Sequence, residues 1–149
     1  MRQDTAELYQ SIVMDRARNP RHAGRPETFD AQAVGDNPMC GDHIEVFINR
    51  SGMQVSHESR GCAIMLASAE LMADAVAGLE AAQIPQLRNA FESVVNTGDA
   101  APSLGDLNAL SGVSEFRSRI RCATLPWSAL ADALQVSALT QALEEQNNG

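Results

Sequence analysis

The strongest constraint on the fold is a change of hydrophobic period at Gly61. Before it, Ile44, Val46 and Ile48 alternate with polar neighbours. After the turn residues Ser51-Gly52 the alternation resumes at Met53, Val55 and His57. Period two puts alternate side chains on one sheet face, so strand, turn and strand predict an antiparallel hairpin. Past Gly61, residues Ile64, Leu71, Met72, Ala75, Val76 and Leu79 fall on one side of a helix over Cys62–Gly78. Ala63, Met65, Leu66 and Ala67 make its first turns apolar nearly all round, so that end is expected to be buried.

The flanks extend this pattern. Leu8, Tyr9, Ile12 and Val13 predict an amphipathic helix over about 5–18, with Asp4 and Glu7 as a capping pair. Asn19-Pro20 ends it, because a residue before proline is pushed out of the helical region. Phe29–Val34 alternates weakly and predicts a third strand; Gly35-Asp36-Asn37-Pro38 reads as a breaker cluster. Ile84, Leu87, Phe91, Val94 and Val95 predict a helix over 84–96. A loop over 97–105 and a short helix over 107–113 follow. The stretch 116–121 fits neither period. From about Ala123 the chain reads as helical to Glu144, with a break near 135–137 and with Pro126 close to the start, where proline is tolerated. Residues 145–149 are expected to fray. Helix, strands and a run of helices make an α+β fold: about three antiparallel strands with helices on one face. A length of 149 residues suits a single domain over 1–149.

Charge narrows the function. The chain has 11 basic and 19 acidic residues, a net charge of −8. Nucleic-acid binding needs a basic footprint, so no nucleic-acid partner is expected. No basic amphipathic stretch suits an anionic membrane surface, and no apolar run reaches the length of a span. Met1–Ser11 is polar and lacks the apolar core of a signal peptide. The expected location is cytoplasmic. Three cysteines cannot pair completely, and in a reducing compartment cysteines bind metal, react or sit buried.

Each cysteine falls at an element boundary. Cys40 lies in Asn37-Pro38-Met39-Cys40-Gly41-Asp42, a tight loop that can turn Cys40 and Asp42 to the same side. Cys62 follows Gly61 and opens a helix, where unpaired N–H groups favour a thiolate. Cys122 reads as preceding a helix, with Arg119 and Arg121 close by. The spacings are not those of a zinc finger. Chemical type is more informative: three thiolates and a carboxylate can complete a tetrahedral site for zinc or an iron–sulfur cluster. Three separately buried cysteines are the alternative that residue types alone leave open.

These motifs resemble the IscU/SufU proteins, related to the N-terminal domain of NifU. The resemblance runs from about Glu7 to Leu134. It is carried by Glu7-Leu8-Tyr9, Met14-Asp15, Asn19-Pro20-Arg21, the Asn37–Asp42 loop, Gly61-Cys62-Ala63-Ile64, Ala67-Ser68-Ala69, Arg121-Cys122-Ala123-Thr124-Leu125 and Trp127. It implies that Cys40, Asp42, Cys62 and Cys122 are the metal or cluster ligands. Within the family the chain is most similar to SufU. Arg121 stands where IscU proteins have a His, no Pro-Pro-Val-Lys segment precedes it, and the stretch from Cys62 to Cys122 is longer than in IscU. There are two departures. Arg60 lies in the stretch where the family has Gly-x-Gly-Cys, and Glu70 stands where small polar residues are common. Neither removes a ligand.

The SufU resemblance implies a zinc-bound sulfur acceptor for a pyridoxal-phosphate-dependent cysteine desulfurase. Cys40 would take the persulfide sulfur, Asp42 would hold the metal meanwhile, and Arg121 would stabilise the anion. Downstream iron–sulfur assembly proteins would be the recipients. Two other roles use the same residues: a scaffold that builds and passes on a [2Fe–2S] cluster, holding iron in place of zinc, or a structural zinc module for protein interaction.

Overall fold

The structure is a computed structural model that describes residues 2–148, with side chains over 5–146. Helix α1 (Arg2–Arg18) precedes strands β1 (Ala31–Asn37), β2 (Asp42–Asn49) and β3 (Gln54–Arg60). Helices α2 (Ala63–Val76) and α3 (Ile84–Thr97), a 3-10 segment (Pro102–Glu115) kinked at Gly105, and α4 (Arg117–Asn148) follow. The strands form one antiparallel sheet in the order β1-β2-β3. This is the expected α+β architecture. The side chain of Asp4 lies outside the described ones, and so does the Asp4–Glu7 cap. No helix of the described residues is long and apolar enough to cross a membrane.

Alternation in β2 does what its period requires. Asp42, Ile44, Val46 and Ile48 are buried together on the helical side. Helix α4 lies across β1 and β2, and α2 packs between α1 and α4. Phe91 of α3 stacks on Trp127 of α4 with ring centroids 5.0 Å apart, joining the last two helices in the core. Phe47 points to the other sheet face, where Phe29 covers it at 5.1 Å and the Arg25 guanidinium lies over both rings.

Two local expectations are corrected. Strand β1 runs through Gly35 to Asn37, so the breaker cluster does not break it. Glycine serves close approach there: a Cβ would stand 3.1 Å from Leu125 and 3.4 Å from Ala129 of α4, and 3.2 Å from Ile44. Helix α4 begins at Arg117 and continues unbroken past 135–137, carrying Pro126 well inside it. Proline lacks the N–H that the carbonyl four residues back would accept, and here that carbonyl belongs to Cys122. Next door, the Ser68 hydroxyl of α2 donates to the Ala123 carbonyl at 2.5 Å. Packing against α2 and the sheet thus holds a helix that local preference would have started later. The helix is described as far as Asn148.

An ionic cluster centred on a buried glutamate ties the middle of β3 to α2 and to the loop after α1. The Glu70 carboxylate accepts N–H bonds from the backbone of Arg21 at 2.5 Å and His22 at 3.0 Å. It also meets His57 Nε2 at 2.7 Å. Around it, Asp74 pairs with Arg16 at 2.6 Å and with the His22 ring at 2.7 Å. Burial pushes the Glu70 carboxyl upward, but the bonds from His57, Arg21 and His22 outweigh burial and hold it below the usual 4.5. A depressed carboxyl stabilises the fold above its unfolded value and loses that contribution as pH falls through the folded value. Acid titration of stability is therefore expected to fall as pH drops below about 4.5 and onward through the lower folded value. In Glu70→Gln that acid limb is expected to flatten, as read by circular dichroism.

Candidate metal centre

The four expected ligands come from three places in the fold. Cys40 sits on the exposed turn between β1 and β2. Its N–H donates to the Asn37 carbonyl at 3.1 Å, and Gly41 takes φ 72° to bring the chain back into β2. Asp42 is the first residue of β2 and is buried. Cys62 is the N-cap of α2. Cys122 is fully buried on α4. Its position overturns the reading that it precedes a helix at an element boundary: it lies inside α4 and belongs to the core.

One ligand atom each from Cys40, Asp42 and Cys122 lies within 4.8 Å of the others. Cys62 joins through Asp42. Its N–H donates to Asp42 Oδ1 at 2.9 Å, and its sulfur is 3.7 Å from Asp42 Oδ2. Tetrahedral zinc bonds of about 2.0–2.3 Å put neighbouring donors roughly 3.3–3.8 Å apart. The Cys62–Asp42 separation already falls there, and the wider set needs to contract by only about 1 Å. Gly61 makes the approach possible. Its φ is 156°, and a Cβ there would collide with Asp42 Oδ1 and stand 3.0 Å from the Asp42 Cα.

Electrostatics favour a cation among these donors. Burial pushes the Cys122 thiol up, and hydrogen bonds with Asp42 and Cys62 push it further. Left to itself, Cys122 is a neutral thiol. A soft cation reverses this, because thiolate ligation removes the proton. Three sulfurs and a carboxylate suit zinc or an iron–sulfur cluster. The residues present therefore fit a metal.

The nearby positive charge is one the sequence reading gave no role. Arg119 stands three residues before Cys122, on the same face of α4. Contact with Cys122 and then the charge of Cys62 hold its guanidinium above its ordinary value. Arg121 neighbours Cys122 in sequence but lies about 100° round the helix. It is exposed and forms no ion pair or side-chain hydrogen bond among the described residues. Spacing by three on a recognised helix would have singled out Arg119; the late helix start hid it. Arg119 also borders a groove of about 1100 Å³ that runs between α1, Ile64 and the 3-10 segment, lined by Tyr9, Val13, Leu110 and Phe116.

A three-stranded sheet whose hairpin turn, helix cap and last helix bring three cysteines and an aspartate together defines a small α+β domain with a candidate metal site. The NifU-like N terminal domain family matches residues 8–123, and the chain belongs to that family. It is 37% identical over 130 residues to the zinc-dependent sulfurtransferase SufU of Bacillus subtilis, covering 83% of this chain and 86% of that protein. It is 34% identical over 145 residues to the iron–sulfur cluster assembly scaffold protein IscU of Streptococcus pyogenes, covering 94% of this chain and 91% of that one. Among solved structures, the N-terminal part of a nitrogen-fixing NifU-like protein from Brucella abortus matches with TM-score 0.76 at 25% identity, over 87% of this chain and 93% of that chain.

In Gly61→Ala the added methyl must displace the Asp42 carboxylate and adopt a backbone angle glycine favours. Metal affinity is expected to fall by about 10–100-fold and folding stability by about 1–3 kcal/mol. Chelator competition and urea denaturation measure the two effects.

Proposed function

We propose that this protein is a zinc-dependent sulfur acceptor that takes persulfide sulfur from a cysteine desulfurase for iron–sulfur cluster assembly. The observation that carries the reading is the donor cluster itself: two deep donors, Asp42 and Cys122, beside one donor on an exposed turn, Cys40. The similarity to SufU supports the same reading.

Cys40, Asp42, Cys62 and Cys122 would hold the metal. Bound zinc would keep the coordinating sulfurs deprotonated at neutral pH and draw their segments together. Of these residues Cys40 would move at least structural cost, because its turn is solvated while Cys122 is locked in the core. The Cys40 thiolate attacks the outer sulfur of the persulfide on the desulfurase. A new S–S bond forms at Cys40, the donor's S–S bond breaks, and the electron pair leaves on the donor cysteine as a thiolate. No oxidant or reductant is consumed. Asp42 and Cys62 keep their mutual contact while Cys40 is loaded. Arg119, rather than Arg121, offers the positive charge beside the departing and arriving sulfurs. Met39, 89% exposed beside Cys40, and Phe116, 61% exposed on the groove, offer apolar surface for the desulfurase to cover. The setting we assign is the cytoplasm, with downstream iron–sulfur assembly proteins as recipients.

The 34% identity to an IscU scaffold favours a second reading, in which the same donors hold a nascent [2Fe–2S] cluster. Metal analysis of gently purified protein separates the two. Zinc near one per chain is expected; iron with acid-labile sulfide, and a transferable cluster after anaerobic reconstitution, would favour the scaffold. A desulfurase turnover assay tests the relay. Wild-type protein is expected to stimulate turnover, and Cys40→Ala to leave the enzyme at its own basal rate. Undiminished stimulation by Cys40→Ala would defeat the relay and leave a structural zinc module.

A further inference from the structure

Glu70 and His57 take no part in the donor set, yet both are almost wholly buried. Their positions are informative. His57 lies on β3, which runs into Gly61 and Cys62; Glu70 lies on α2, which Cys62 caps. The 2.7 Å pair therefore spans the strand–helix corner whose apex is Cys62. The same carboxylate binds the backbone of Arg21 and His22. That loop in turn runs alongside β3, with His57 N–H donating to the His22 carbonyl at 3.0 Å and Gly24 N–H to the His57 carbonyl at 2.8 Å. Loop, strand and helix meet on one side chain.

We propose that Glu70 is a positioning residue for Cys62: it closes the β3–α2 corner and so sets where that sulfur stands against Asp42 and Cys122. The proposal rests on the reading of Cys62 as a metal donor. Two other contacts tie α2 elsewhere, to β2 and to α4. Cys62 N–H reaches Asp42, and Ser68, two residues before Glu70, reaches the carbonyl beside Cys122. Glu70 supplies the third point. Of the three, it is the one that joins α2 directly to β3. Removing the carboxylate takes the acceptor from the buried His57 ring and from the part-buried N–H groups of Arg21 and His22, a cost that loosens the corner. A glutamine avoids this. Its oxygen can accept both backbone N–H bonds. Its amide can donate to His57 Nε2 when the ring carries its proton on Nδ1, where Ser59 Oγ stands 2.6 Å away as acceptor.

The test is alkylation of the metal-free protein by iodoacetamide, resolved by cysteine with mass spectrometry, alongside zinc affinity by chelator competition. In Glu70→Ala, Cys62 is expected to react about tenfold faster with Cys122 still protected, and zinc to bind about 10–100-fold more weakly. Glu70→Gln is expected to match wild type in both, while nitrogen NMR shows His57 protonated on Nδ1 alone. If Cys122 also becomes reactive, Glu70→Ala has unfolded. Glu70→Asp, too short to reach loop and histidine together, then decides by the same Cys62 rate. A Cys62 rate within twofold of wild type in a folded variant overturns the proposal, as does a Glu70→Gln protein as reactive as Glu70→Ala. Wild-type protein that binds no zinc defeats the metal reading instead, and the alkylation pattern stands apart from it.

Discussion

The contact between Asp42 and the backbone of Cys62 is the joint on which the site depends. A carboxylate at the start of β2 receives the N–H at the start of α2, through a gap that only glycine at position 61 leaves open. That bond ties the hairpin carrying Cys40 to the helix capped by Cys62. It also satisfies one of the free N–H groups of a helix N-terminus, without a side chain from the cap itself. Once β2 and α2 are joined, α4 needs only to cross the sheet closely for Cys122 to arrive between them. Gly35 allows that crossing.

The site balances exposure against burial. Its donors include a fully buried thiol and a buried carboxylate, groups that resist being charged together. Arg119 answers part of that charge, and a metal would answer the rest. Cys40 stands on the solvated side of the same cluster. Such a gradient suits chemistry in which one sulfur comes and goes while the others stay, because the cost of moving each donor follows how tightly its element is packed.

Much of this was legible in the sequence, for identifiable reasons. Period two over 43–57 and the switch at Gly61 predict the hairpin and the following helix, since side-chain direction follows directly from backbone period. Cys62 was placed at a helix start because glycine and an apolar run bracket it. Pro126 misled: local preference puts proline in a first turn, whereas packing and the Ser68 hydroxyl sustain a helix that begins at Arg117. A start near Ala123 puts Cys122 at a boundary and hides the helical offset that links it to Arg119. Gly35 read as a breaker because nothing local announces a helix passing over it.

Residue order alone therefore determined the elements, the sheet's two faces and the chemical type of the donors, because these depend on neighbours a few positions away. Family resemblance then joined the donors into one set. Tertiary structure decided the rest: which arginine meets the sulfurs, how deeply each cysteine lies, and that Glu70 pairs with His57 across a corner. Those outcomes depend on how α4 and α2 cross the sheet. No repeat in the chain encodes such crossing geometry, which follows from the close packing of side chains distant in sequence.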